Sequence, residues 1–199
     1  MLFNSLEFAI FLPIVFLLYW FVFGKLLCHN KYQLKWQNFF LLTASYVFYG
    51  WWDWRFLLLI ALTSFCSWGS GLLIGNPSRP PYKGRRIGSP KFWLCMNVII
   101  NLAILFTFKY YNFFIEEFCQ LFPSLEGRSG GVISLILPVG ISFYTFQALS
   151  YTIDVYRQKI AATRDIISFF AYIAFFPQLV AGPIERATNL LPQFQQKRI

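Results

Sequence analysis

The sequence predicts an all-α fold, a polytopic transmembrane helical bundle with broken or re-entrant helices and an interfacial helix, and three observations predict it. Of 199 residues, 57% are hydrophobic and 13% charged, against roughly 45–50% and about 25% in soluble domains. Aromatic residues reach 22%, and such side chains meet lipid and anchor at its interfaces. The charges are also segregated. Six charge-free stretches run from Phe8 to Gly24, Trp36 to Trp52, Phe56 to Ser78, Phe92 to Phe108, Ser129 to Ile153 and Ile166 to Ile184. Each comes near the roughly 17–25 residues of a spanning helix. Six is an upper bound, because some stretches are short or interrupted.

The opening MLFNSLEFAIF has no basic n-region and no A-x-A-like site after its apolar run, so the first segment is expected to stay in the membrane rather than be cleaved. Lys25, Lys31 and Lys35 follow it, with His29, the one histidine, in the exposed basic stretch KLLCHNK. His29 reads as a loop residue rather than a catalyst. Between the second and third segments, Trp51, Trp52 and Trp54 flank Asp53 as interfacial anchors. The loop NPSRPPYKGRRIGSP, Asn76 to Pro90, combines turn formers with basic residues and reads as cytoplasmic, since short cytoplasmic loops retain Lys and Arg. Arg157, Lys159 and Arg164 follow the fifth segment, so alternation places the amino terminus outside the cytoplasm. From Tyr110 to Phe122, YYNFFIEEFCQLF sets Phe113, Phe114, Phe118 and Leu121 near one face, the pattern of a helix lying at the interface. No repeat or linker divides the chain, so residues 1–199 read as one membrane-embedded domain.

The net charge of +9 does not mark a nucleic-acid binder, because the basic residues sit between apolar runs rather than on one water-facing patch. The four cysteines, Cys28, Cys66, Cys95 and Cys119, show neither metal spacing nor a disulfide framework.

Polar residues inside apolar segments are costly and therefore candidates for function, unless they bond a neighbouring helix. Asn97 and Asn101, four apart on one face, suit an inter-helix amide contact better than catalysis. In LPVGISFYTFQ, Leu137 to Gln147, Pro138 and Gly140 would interrupt a helix at depth, tolerated only in a protein interior or along a watery cavity. Beyond that break Gln147, Ser150, Tyr151, Asp154 and Arg157 draw a polar stripe at helical spacing. The stripe suits a pore lining and helix packing equally. In FFPQLVAGPIERA, Phe175 to Ala187, Pro177 and the Gly182-Pro183 pair break the sixth segment twice. Gln178 lies between these breaks and Glu185 and Arg186 follow them, placed either to position a donor or acceptor or to cap a helix. Burial logic predicts that the two broken segments share one polar cavity.

LPVGISFYTFQALSYTIDVYR, Leu137 to Arg157, and FFPQLVAGPIERATNLLPQF, Phe175 to Phe194, resemble the bacterial membrane-bound O-acyltransferases of the alginate O-acetyltransferase type. MLFNSLEFAIFLP and ASYVFYGWWDWRFLLLI, Ala44 to Ile60, also look like that group, so the likeness covers essentially the whole chain. It implies an inner-membrane, multi-pass acyltransferase. Acetyl would pass from a cytoplasmic donor, acetyl-CoA or a similar acyl thioester, through the membrane to an exported polysaccharide such as alginate or an extracytoplasmic acceptor protein. It implies no bound cofactor and no metal, with the lipid bilayer as a constant partner. The family's essential His lies beyond the segment corresponding to Ile199, so this chain is expected to be the amino-terminal portion and inactive alone. The substrate-binding set carried over is Gln147, Tyr151, Asp154, Gln178, Glu185 and Arg186, as cavity-shaping rather than catalytic residues. The rival readings are half of a channel or transporter, which also uses broken helices, and a non-catalytic assembly subunit.

Overall fold

The computed structural model describes residues 5–26, 32–51, 53–75, 89–121, 138, 140–182 and 185–196. In chain order they form α1 (Leu6–Leu17), continued as a π-helix over Leu18–Leu26, then α2 (Gln33–Gly50), α3 (Arg55–Ile74), α4 (Pro90–Leu121), α5 (Ile141–Tyr156), α6 (Ile166–Ile173), α7 (Phe176–Ala181) and α8 (Ala187–Gln195). Local chemistry sets several starts. The Ser5 hydroxyl accepts from the Phe8 amide at 3.2 Å and opens α1. Asp165 opens α6, its Oδ1 accepting from the Ile167 amide at 3.1 Å. Gly140 precedes α5 at φ 78°, a left-handed conformation that a side chain would strain.

The interior of this bundle buries polar side chains beside its apolar core, while many large apolar side chains stand exposed. Asn38, Asn97, Asn101, Ser64, Thr145 and Thr152 are fully buried, while Leu6, Leu58 and Ile99 are 62% exposed or more. Where the surrounding medium is hydrocarbon, apolar side chains gain nothing by hiding and polar ones must find partners inside. Among the described residues three helical segments, Leu6–Phe23, Arg55–Ile74 and Pro90–Tyr111, are long and apolar enough to cross a bilayer. The protein is an all-α membrane protein.

Cross-contacts fix the relative directions of the helices. Added carbons on Gly71 and Gly75 would strike Tyr151 and Val155 respectively, so α3 and α5 run parallel. Gln147 meets Tyr172 and the Tyr151 ring meets that of Phe169, so α6 returns antiparallel to α5. Asn38 meets Ser168 and Ser45 meets Phe176, which makes α2 parallel to the α6–α7 pair. Ring contacts of Phe8 with Phe48 and of Phe23 with Phe40 set α1 antiparallel to α2.

One sequence expectation is corrected here. The stretch from Tyr110 is not a separate interfacial helix: α4 runs unbroken from Pro90 to Leu121 over 32 residues, about 48 Å at roughly 1.5 Å per residue. A single charge, Lys109, does not stop a helix, and nothing between Lys91 and Leu121 is Pro or Gly. The break expected at Pro177 in the stretch Ile166 to Ile184 is present, dividing it into α6 and α7 at Ala174 and Phe175. The Pro177 ring would clash with the carbonyl four residues earlier, at Ile173, where α6 ends. Within the fifth stretch α5 starts at Ile141; residues 129–137 lie outside the described ones, as do His29 and most of the Asn76 to Pro90 loop.

Candidate functional site

The interior is built where α5 meets α6 and where α6 breaks into α7. On α5 the spacing Gln147, Tyr151, Asp154 brings three polar groups to one buried side. Gln147 is 1% exposed; its Nε2 donates to the Tyr172 carbonyl at 3.0 Å. The Tyr172 hydroxyl approaches the Gln147 carbonyl at 3.4 Å, and the Ser150 hydroxyl donates to that same carbonyl at 3.0 Å. Tyr151 is fully buried, its oxygen accepting from the Thr163 amide at 3.0 Å, its ring 4.5 Å from that of Phe169. Asp154 is 7% exposed. Its Oδ2 is buried without a hydrogen-bond partner, while its main-chain carbonyl accepts from the Lys159 amide at 2.9 Å.

Gln178, on α7, is also buried. Its carbonyl accepts from the Gly182 amide at 3.0 Å. Glu185 is half-buried and Arg186 is exposed; Arg186 is the residue from which α8 starts. The structure thus brings Gln147, Tyr151 and Asp154 together against α6 and its approach, and sets Gln178, Glu185 and Arg186 beyond the break. Phe175, Phe176 and Pro177 border a cavity of about 310 Å³ with residues of α1, α2 and α8. None of the α5 stripe lines it, so the cavity beside the break is apolar and is not shared with the stripe. The reason is local: the Gln147 amide is already paired by the backbone of α6, so it needs no cavity water.

Asn97 and Asn101 form an inter-helix knot. Ser67 Oγ donates to Asn97 Oδ1 at 3.1 Å, Asn97 Nδ2 donates to Thr152 Oγ1 at 2.8 Å, and Asn101 Nδ2 reaches both Ser67 Oγ and Asn97 Oδ1. This joins α3, α4 and α5. A second knot was missed in the sequence. Asn38 Nδ2 donates to Ser168 Oγ at 2.9 Å and to the Phe194 carbonyl at 2.7 Å, while Ser168 Oγ donates to Asp165 Oδ2 at 2.6 Å. The signal was present as the adjacent amides Gln37 and Asn38 in WQNFFLLTASY. Among the described residues no cluster of His, Cys, Asp or Glu could hold a metal ion.

Outward apolar faces, buried amide knots and a proline-broken helix in the interior define a polytopic helical membrane protein built around an interrupted core. Comparison with known proteins narrows the class. The chain is 38% identical over 198 residues to the probable alginate O-acetylase AlgI of Pseudomonas aeruginosa, covering 99% of this chain and 35% of that protein. It is 40% identical over 163 residues to the AlgI of Azotobacter vinelandii, covering 82% and 32% respectively. It is 30% identical over 222 residues to a peptidoglycan O-acetyltransferase of Helicobacter pylori, covering 99% and 39%. No family model matches it and no solved structure does. The chain belongs to the membrane-bound O-acyltransferase family, in the AlgI-like group. It spans about a third of the length of the curated relatives it matches.

Proposed function

We propose that the chain forms part of an inner-membrane O-acetyltransferase that moves acetyl groups from a cytoplasmic thioester, acetyl-CoA or a similar donor, to hydroxyls of an exported polysaccharide. The acceptor is alginate or a related polymer, reached directly or through an extracytoplasmic carrier protein. The observation that carries this reading is the 38% identity to the probable alginate O-acetylase over nearly the whole chain. The interrupted α6–α7 segment supports it, since backbone freed at depth belongs in a protein interior that a substrate crosses. In the complete enzyme Gln147, Tyr151, Asp154, Gln178, Glu185 and Arg186 shape the route. The chain's single histidine, His29, lies in a basic stretch and is not the base that acyl transfer to a hydroxyl requires. A second acceptor, peptidoglycan, is favoured by the relative of that activity.

Disrupting the gene in its own host tests both acceptors. We expect the acetyl esters on secreted polysaccharide, measured by NMR before and after mild alkali, to fall at least tenfold, with peptidoglycan O-acetylation unchanged. A fall confined to peptidoglycan moves the acceptor to the second reading. Unchanged esters on both polymers refute the acyltransferase reading in favour of a transporter half or an assembly subunit.

A further inference from the structure

The segment that follows α5 enters the bundle and comes back to the face it left. Asp165 opens α6, and three hydrogen bonds hold the far end of α8 beside that opening. One amide on α2, Asn38 Nδ2, donates both to Ser168 Oγ in the first turn of α6, at 2.9 Å, and to the Phe194 carbonyl near the end of α8, at 2.7 Å. The Gln195 amide donates to Thr163 Oγ1, just ahead of Asp165, at 2.9 Å. Thr163 is itself fixed to α5, its main-chain N–H donating to the Tyr151 hydroxyl at 3.0 Å.

Between these two ends the chain reaches deeper and turns. The Phe176 amide donates to Ser45 Oγ at 3.3 Å, and the Phe176 ring meets those of Phe48 and Phe11 at 5.3 and 5.6 Å. From Asn38 to Ser45 α2 rises seven residues, about 10 Å at roughly 1.5 Å each, so α6 climbs beside α2 by that distance before it breaks. The apolar run Ile166–Gln178 is shorter than a span: about 20 Å of helix does not cross a hydrocarbon core of roughly 30 Å. The residues after it bring the chain back to Asn38. Such a turn at depth needs its freed backbone enclosed by protein, and Ala174 and Phe176 at the break are buried.

We propose that residues 165–196 form a re-entrant hairpin, pinned at its mouth by Asn38 and Thr163 and turned at α7 inside the bundle, and that its charge-free stretch is not a sixth membrane crossing. Asp165 and Gln196 then share the basic face of the bundle, and α7 is the tip that points toward the other face. The hairpin does not depend on the acyl-transfer reading, because the bonds that define it lie within this chain and would serve a transporter equally.

The test uses the full 199-residue chain in bacterial cells, with its four cysteines replaced. Ala161 precedes α6, Gln196 follows α8, and both are exposed. Ala161→Cys and Gln196→Cys should behave alike toward a membrane-impermeant maleimide, each labelled at least tenfold less in intact cells than after permeabilisation, while Asp53→Cys labels equally in both. Should a cysteine variant fail to insert, alkaline phosphatase, active only outside the cytoplasm, fused after Ile199 of the unsubstituted chain reads the same point. Background phosphatase activity is expected there, with bright fluorescence from a green fluorescent protein fused at the same position. Labelling of Ala161→Cys and Gln196→Cys from opposite sides overturns the proposal and makes the segment a span, as does an active phosphatase fusion on a chain whose Ala161→Cys is protected in intact cells. Labelling of both in intact cells, with Asp53→Cys protected, reverses the bundle in the membrane and upholds the hairpin.

Discussion

Gly71 and Gly69 stand two positions apart on α3 and meet opposite surroundings. A carbon added at Gly71 would come within 2.5 Å of Tyr151 Cε1, whereas one added at Gly69 meets nothing within 4 Å. Tyr151 cannot step aside easily, because its hydroxyl is tied to the Thr163 amide at 3.0 Å and its ring to Phe169 at 4.5 Å. Gly71→Ala should therefore destabilise by about 1–3 kcal/mol, as overpacking does. Gly69→Ala should be neutral or stabilising by up to about 1 kcal/mol, from helix propensity. Thermal loss of helicity in detergent reads both, and equal effects would refute this packing. Polar residues at this scale were legible as positions but not as roles. Of the stripe Gln147, Ser150, Tyr151, Asp154 and Arg157, the structure buries Gln147, Tyr151 and Asp154, leaves Ser150 half-buried and exposes Arg157 at the end of α5. That the Gln147 amide bonds the Tyr172 carbonyl was not readable, because a main-chain acceptor 25 residues away leaves no mark in side-chain pattern.

Elements were legible where breakers act and misjudged where charge was used as a ruler. Pro177 divides α6 from α7 because proline removes a donor and clashes one turn back; Lys109 leaves α4 intact because one long side chain can carry its charge to the surface. What holds the short pieces is tertiary. The eight residues of α6 and the nine of α8 fall below the roughly 12–15 at which isolated helices become even marginal. Asn38 supplies the missing hold, joining α2 to Ser168 and to the Phe194 carbonyl. Asn38→Ala would remove the hydrogen bonds to Ser168 and to the Phe194 carbonyl, at about 0.5–1.5 kcal/mol each. Asn38→Asp should be worse, since its carboxylate would oppose the carbonyl and sit one hydroxyl away from Asp165. Hydrogen exchange should rise first in α8, with α5 amides still protected. Uniform exchange across both helices would mean that Asn38 stabilises the whole bundle and not this attachment.

Across the whole molecule, helix directions carry the charge pattern to one end. α2 is antiparallel to α1 and, through α6, to α5; α5 is parallel to α3. The end of the α1 π-helix, the start of α2, and the ends of α3 and α5 therefore share a side. Along the chain Lys25, Lys31 and Lys35, then Arg79, Lys83, Arg85 and Arg86, then Arg157, Lys159 and Arg164 all attach at those ends. The opposite side receives Asp53 from the α2–α3 turn. Short loops rich in Lys and Arg are held in the cytoplasm, so the prediction is that the shared basic end is cytoplasmic and the amino terminus lies across the membrane. In a background with Cys28, Cys66, Cys95 and Cys119 replaced, Ser78→Cys should resist a membrane-impermeant maleimide in intact cells and react after permeabilisation. Asp53→Cys should react without permeabilisation. The reverse pattern would invert the topology, and labelling of both in intact cells would mean that the helix directions do not describe the inserted chain.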